Sequence, residues 1–156
     1  MTRNIDPRCR RARTIAHYLG AIVVGNLIWE TAQLPLYTIW KTGTGRELVV
    51  AVVHCTAGDV VIAASALAAA VVLTTQWNWP RSGFSSVAVV AVVLGIAYTI
   101  YSERLNVLVL GSWAYAESMP VLPWLEVGLS PLLQWLLVPA AAFAWSRRQI
   151  SKRHAS

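Results

Sequence analysis

The chain has 156 residues, of which 56% are hydrophobic and only 13% charged, and its mean hydropathy is +0.53. A soluble domain of this length carries about 25% charged residues, so the composition excludes an ordinary soluble domain and predicts an all-α, polytopic membrane protein. The net charge of +6 would fit a nucleic-acid binder, but its placement argues otherwise. Arg3, Arg8, Arg10, Arg11 and Arg13 precede the first apolar run, and Arg147, Arg148, Lys152 and Arg153 follow the last. Neither tail carries stacking aromatics, so nucleic acid is not an expected partner; the anionic headgroups of membrane lipids are.

Four segments are long and apolar enough to span a bilayer, which needs roughly 20 such residues: Ile15–Ile39, Leu48–Thr74, Phe84–Leu110 and Gly128–Trp145. Little chain remains outside them, which predicts one transmembrane domain over 1–156 with short basic tails, 1–14 and 146–156. An even number of spans puts both tails on one side, and the positive-inside rule makes that side cytoplasmic, N-in and C-in. No small-x-small cleavage site follows the first apolar run before Asn26, Trp29 and Glu30, so that run is expected to be retained. Cys9 belongs to a tail and Cys55 to the second span, too far apart for a disulfide.

In chain order, Tyr18 is expected at the inner boundary of the first span, and Tyr37 and Trp40 at its outer one. Trp77 and Trp79 return to the inner boundary, Trp113, Tyr115 and Trp124 to the outer, and Trp145 to the inner, as in the aromatic belts of membrane proteins. The first connection (Lys41 to Arg46) and the second (Asn78-Trp79-Pro80, Ser82-Gly83) are short turns. Residues 111–127, GSWAYAESMPVLPWLEV, differ: Pro120 and Pro123 deny them a continuous helix, and they are expected to lie as an interfacial cover on the outer surface. An ordinary loop packed on helix ends is the competing reading. Ala63-Ala64-Ser65-Ala66 and Ala68-Ala69-Ala70 suit close helix packing.

The apolar runs carry polar residues at one depth. At a rise of about 1.5 Å per residue, Glu30 falls roughly 10 Å below the outer boundary, His54 about 9 Å, Asp59 about 16 Å and Gln134 about 8–9 Å. Glu103 and Asn106 come near the outer end of the third span. The inner half of every span is almost purely aliphatic. Asn26, Glu30 and Gln33 stand at i, i+4 and i+7, one face of one helix; Ser102, Glu103 and Asn106 cluster similarly, with Tyr98 and Thr99 a turn below, and Cys55 shares a face with Asp59. A carboxylate facing lipid costs several kcal/mol, so Glu30 and Asp59 should point inward and be paired or protonated.

Four readings of this layer stay open. In the first, an enzyme works on an apolar or lipid-like small molecule by acid–base chemistry, with Glu30 or Glu103 as acid, His54 or Asp59 as base, and Asn106 or Gln134 orienting; Asn26, Gln33, Trp113 and Tyr115 complete the binding set. The absence of a nucleophile motif favours hydration, isomerisation or cyclisation over ester hydrolysis. In the second, His54, Glu30 and Glu103 are candidate metal ligands, with Cys55 and Asp59 also of ligand type. No HxxxH or CxxC spacing supports this, and a bis-histidine haem is ruled out for a monomer, because His17 and His154 lie at the other side; no particular cofactor is indicated. The third is a proton- or cation-coupled transporter subunit, for which four spans are few and an oligomer would be needed. The fourth is an assembly or scaffold subunit, in which single polar substitutions change only stability or partner capture; the polar residues then form a structural seam, with Glu30 pairing to His54, Glu103 to Arg104, and Gln134 bridging helices.

The strings WETAQLPLYTIW (29–40), HCTAGD (54–59), SERLN (102–106) and WAYAESMPVLPWLEVGLSPLLQW (113–135) resemble a family of small four-helix proteins of the bacterial inner membrane. The resemblance runs over all four spans and implies a four-helix membrane fold and that location; it carries no activity. The WxYxxxMPxxP stretch is also similar to one segment of carotenoid-modifying membrane enzymes.

Overall fold

Helix α1 (Pro7–Gln33) begins where the sequence supplies a start signal. The Asp6 side chain accepts a hydrogen bond from the Arg8 N–H (2.9 Å), and Pro7 occupies the first turn, where its missing N–H costs nothing. The helix therefore takes in half of the stretch 1–14 expected as a tail. Pro35 ends it: Leu34–Leu36 tighten into a 3-10 turn and Tyr37 leaves in extended conformation, so the first apolar helix stops short of Ile39. These are features of a computed structural model, which describes residues 6–152; Arg3, Arg153 and His154 lie outside them.

A single turn, α2 (Ile39–Thr42), leads to α3 (Gly45–Leu73), whose start is fixed by a capping box in which Thr44 and Glu47 satisfy each other's backbone N–H groups. Helix α4 (Phe84–Arg104) starts from Gly83, held at φ +65°, where a residue with a Cβ would be strained, and runs into a widened π-type turn over Leu105–Val109. A two-residue antiparallel pair, β1 (Val121–Leu122) with β2 (Val127–Gly128), precedes α5 (Leu129–Lys152), which contains Pro139. Helix accounts for 76% of the chain, and four helices are long and apolar enough to cross a membrane: Arg8–Leu36, Gly45–Leu73, Phe84–Val109 and Leu129–Ile150.

The four long helices form an antiparallel bundle in the cyclic order α1, α3, α4, α5. The start of α1, the end of α5 and the 74–83 turn lie at one end, the tail end; the 34–44 and 105–128 connections lie at the other, the distal end. Close approach depends on small residues. Ala63, Ala66 and Ala70 of α3 are buried, and a Cβ on Gly25 of α1 would stand 2.7 Å from Val138 of α5. Between these narrow faces, aromatic rings fill the remaining space near the tail end. Tyr18 lies on Phe143 with ring centroids 4.3 Å apart, Phe143 meets Phe84 edge-on at 6.0 Å, and Trp79 stacks on Phe84 at 6.1 Å. Tyr18 and Trp79, expected as boundary rings, are thus core residues, 1% and 2% exposed. Trp40, Trp77, Trp124 and Trp145 do stand on the exterior.

Candidate functional site

The distal half of the bundle is built around one side chain, Gln134, on the second turn of α5. Its position faces the stripe of α1 made by Asn26, Glu30 and Gln33, and also reaches Asp59 of α3. The Gln134 amide nitrogen is 3.0 Å from Asn26 Oδ1, 2.8 Å from Glu30 Oε1 and 2.9 Å from Asp59 Oδ2. Gln33 Nε2 donates to Glu30 Oε1 (2.9 Å) and to Gln134 Oε1 (3.2 Å). The chain of donors continues outward, from Ser130 Oγ to Gln33 Oε1 (2.8 Å) and from the Trp29 indole to Ser130 Oγ (3.2 Å).

The donor count in this network is informative. A primary amide nitrogen carries two hydrogens, and three oxygens surround that of Gln134, so one is left over. Glu30 Oε1 and Asp59 Oδ2 lie against the same Gln134 nitrogen, so the two carboxyls are neighbours. The account closes when one of these two carboxyls holds a proton and donates it to a neighbouring oxygen. The Trp135 indole, adjacent to Gln134, turns toward Asp59 without closing a bond of ordinary geometry. The ring fits because residue 95 of α4 has no side chain: a Cβ there would lie 2.2 Å from Trp135 Cε3. Gly95→Val is expected to push the indole out of its slot, at a cost of about 1–3 kcal/mol, lowering the midpoint of thermal unfolding in mild detergent. An unchanged midpoint would mean that α4 and α5 separate freely here.

Glu103, 8% exposed near the end of α4, belongs to a second cluster. Tyr115 of the 111–128 segment donates its phenol to Glu103 Oε2, and the same phenol oxygen accepts the Gly128 N–H (3.0 Å). Burial, reinforced by the Glu103 carboxyl, pushes the Tyr115 phenol above its ordinary range, so it remains a donor. The Trp113 indole turns toward the same carboxyl without closing a bond of ordinary geometry. Backbone bonds fasten the segment to the end of α1: Thr38 N–H to Ala114 O (3.0 Å) and Ala116 N–H to Leu36 O (2.9 Å). Residues 111–128 therefore cover the distal end of the bundle. Asn106, on the π-type turn, donates to the carbonyl (2.8 Å) and hydroxyl (3.3 Å) of Ser102.

Between the two clusters lies a cavity of about 410 Å³. Glu30, Asp59 and Glu103 all reach its wall, as do Gln33, Asn106, Gln134 and Trp113; Ile39, Val52 and Ile62 supply apolar surface. Its exposed lining residues include His54 and Gly58 on α3 and Tyr98 on α4, which puts a lateral mouth on the α3–α4 seam. A Cβ on Gly58 would meet nothing within 4 Å. Thr99, 5% exposed, also lines the cavity, and its buried hydroxyl has no hydrogen-bond partner among the described residues.

Two pairings expected from sequence differ from those found. Glu30 bonds to Gln33 and Gln134, while His54 is exposed at the mouth and makes no hydrogen bond to a described residue. A histidine five residues before Asp59 points about 140° away from it round the helix, which carries it past α1. Arg104 pairs not with Glu103 but with Glu126 (3.4 Å) and the Leu125 carbonyl (3.2 Å), because adjacent residues on a helix face different ways. Nor are His54, Glu30 and Glu103 drawn together as ligands: the described residues contain no group of three His, Cys, Asp or Glu placed to hold a metal ion. Tyr115 and Asn26 do not line the cavity but hold residues that do. Trp135, Ser130 and Trp29 are network members that sequence reasoning passed over; the i, i+4 spacing of Ser130 and Gln134 was the available signal. No family model, curated protein or solved structure matches the chain.

Proposed function

We propose that the protein is a multi-pass protein of the bacterial inner membrane, N-in and C-in, that binds an apolar or lipid-like molecule in the distal cavity and acts on its polar end by acid–base chemistry. Its long helices present Val23, Val24, Ile28, Val61, Val89 and Val93 outward, an apolar exterior suited to lipid. The basic residues that begin α1 and end α5 stand at the opposite end from the cavity, which on the positive-inside rule lies in the outer half of the bilayer.

The observation that carries the functional reading is the cavity itself: a space between four helices that is lined by three carboxyls and by aliphatic surface, and opens sideways where lipid would lie. A molecule entering along the α3–α4 seam would meet the carboxyls head first. Of the two clusters, Glu30–Asp59 is equipped for proton transfer, since one proton between two carboxyls lets either serve as acid or base. Glu103, held by Tyr115, is equipped to bind and orient. His54, at the mouth, is placed to meet a molecule on its way in.

The test compares wild type with Glu30→Gln, purified in mild detergent, by mass spectrometry of co-purifying molecules. A stoichiometric apolar compound retained by wild type and lost from a folded Glu30→Gln protein is the expected result, with any turnover of that compound lost as well. Identical complements of bound molecules in the two proteins would remove Glu30 and the cavity from the mechanism.

A further inference from the structure

We infer that the cavity takes the cationic head of an amphipathic amine, an ammonium group seated among Glu30, Asp59 and Glu103 with its apolar tail leaving between α3 and α4. This rests on the cavity being a site for a lipid-like molecule and specifies the chemistry of that molecule's head.

Charge balance is the first ground. Three carboxyls line the cavity, and no lysine or arginine does. Arg104, the nearest in sequence, is exposed and engaged with Glu126. Buried carboxylates without a counter-charge are costly; they must carry protons or meet a cation. An anionic head is excluded on the same ground.

Size and lining separate an organic cation from a metal ion. About 410 Å³ is far more than a bare ion fills, and no group of three ligand-type side chains converges among the described residues. Tyr37, Tyr98 and Trp113 contribute aromatic surface to the wall, which favours a polarisable ammonium over a strongly hydrated ion. Thr99, which lines the same space, carries a buried hydroxyl still without a partner.

Protons and the cation compete for the same oxygens. The titratable groups lining this space are Glu30 on α1, Tyr37 in the connection that follows it, His54, Cys55 and Asp59 on α3, and Tyr98 and Glu103 on α4; none comes from α5, which contributes Gln134 and Trp135. Binding of a permanently charged head should therefore strengthen as pH rises, by up to about tenfold per pH unit for each proton displaced.

The experiment measures saturable binding of radiolabelled dodecyltrimethylammonium to the full chain in lipid nanodiscs, with dodecanol as neutral competitor. Wild type, Asp59→Asn, Glu103→Gln and Gly58→Leu are compared; the last keeps every carboxyl and obstructs the mouth. The expected result is one site per chain, tighter at higher pH, weakened about tenfold or more in each variant, and indifferent to dodecanol. Equal competition by dodecanol, with affinity untouched by Asp59→Asn and Glu103→Gln but lost in Gly58→Leu, would overturn the cationic head and leave a neutral lipid-like ligand. Absence of saturable binding by either probe in folded wild type would overturn both readings.

Discussion

Replacing Gln134 by leucine should produce a large loss of stability for a single polar substitution in the bundle. The Gln134 amide joins three helices: it reaches Asn26 and Glu30 on α1 and Asp59 on α3 from its own place on α5, and its oxygen accepts from Gln33. Leucine has similar bulk, so packing loss is small and the effect is almost wholly polar. Hydrogen bonds between membrane helices average about 0.6 kcal/mol each, but here the change also leaves buried acceptors without their donor, at about 1–3 kcal/mol apiece. A total of about 2–4 kcal/mol is expected, read by denaturant unfolding in mild detergent. The companion substitution distinguishes its cause. Glu30→Gln in the Gln134→Leu background removes the stranded carboxyl and should recover part of the loss, whereas simple additivity of the two changes would mean that the amide and the carboxyl are not coupled.

The bundle was legible in the sequence because its physics is one-dimensional. Length and apolarity define a helix able to cross a bilayer without reference to the rest of the chain, and the four runs expected are the four helices found. The ends were less legible, because they depend on local chemistry: the Asp6–Pro7 start lengthens α1 at one end, and Pro35 shortens it at the other. Tyr18 and Trp79 show a different limit. A ring near the end of a span suits either the headgroup boundary or the core, and the choice depends on whether neighbouring helices are narrow enough to leave a space. The alanines of α3 leave one.

The polar layer was legible as a depth but not as a set of pairings. Counting residues from each boundary places Glu30, Asp59, Glu103 and Gln134 at similar heights, and these four do border one cavity. Which pairs form depends on helix rotation and on the neighbour each face meets. Asn26, Glu30 and Gln33 were readable as one face, yet that their partner is an amide on α5 rather than His54 follows from the rotation of α3, which turns Asp59 and not His54 toward them. Glu103 was further from reach still, since its partner Tyr115 comes from a connection whose path is set by prolines and by backbone bonds to residues 36 and 38.

Tyr115→Phe tests whether that connection is a fixed lid on the cavity. The substitution removes one oxygen that serves two partners, leaving the Glu103 carboxyl without its donor and the Gly128 N–H without its acceptor. A hydrogen bond to a charged acceptor is worth about 1.5–3 kcal/mol and one between neutral groups about 1, so the loss should fall near 2–4 kcal/mol. The ring contact with Tyr37, centroids 5.6 Å apart, survives in the variant. The loss should therefore concentrate in the 111–128 segment rather than spread through the helices. Amide hydrogen exchange is the deciding measurement: protection of Ala116, Met119 and Gly128, whose N–H groups are all bonded within or beneath the cover, should fall while that of α1 and α3 holds. Glu103→Gln provides the matching change on the other side, since an amide oxygen still accepts from the Tyr115 phenol and most of the protection should return. Uniform loss of protection across all four helices in Tyr115→Phe would instead make the phenol a keystone of the whole bundle and remove the lid as a separable element.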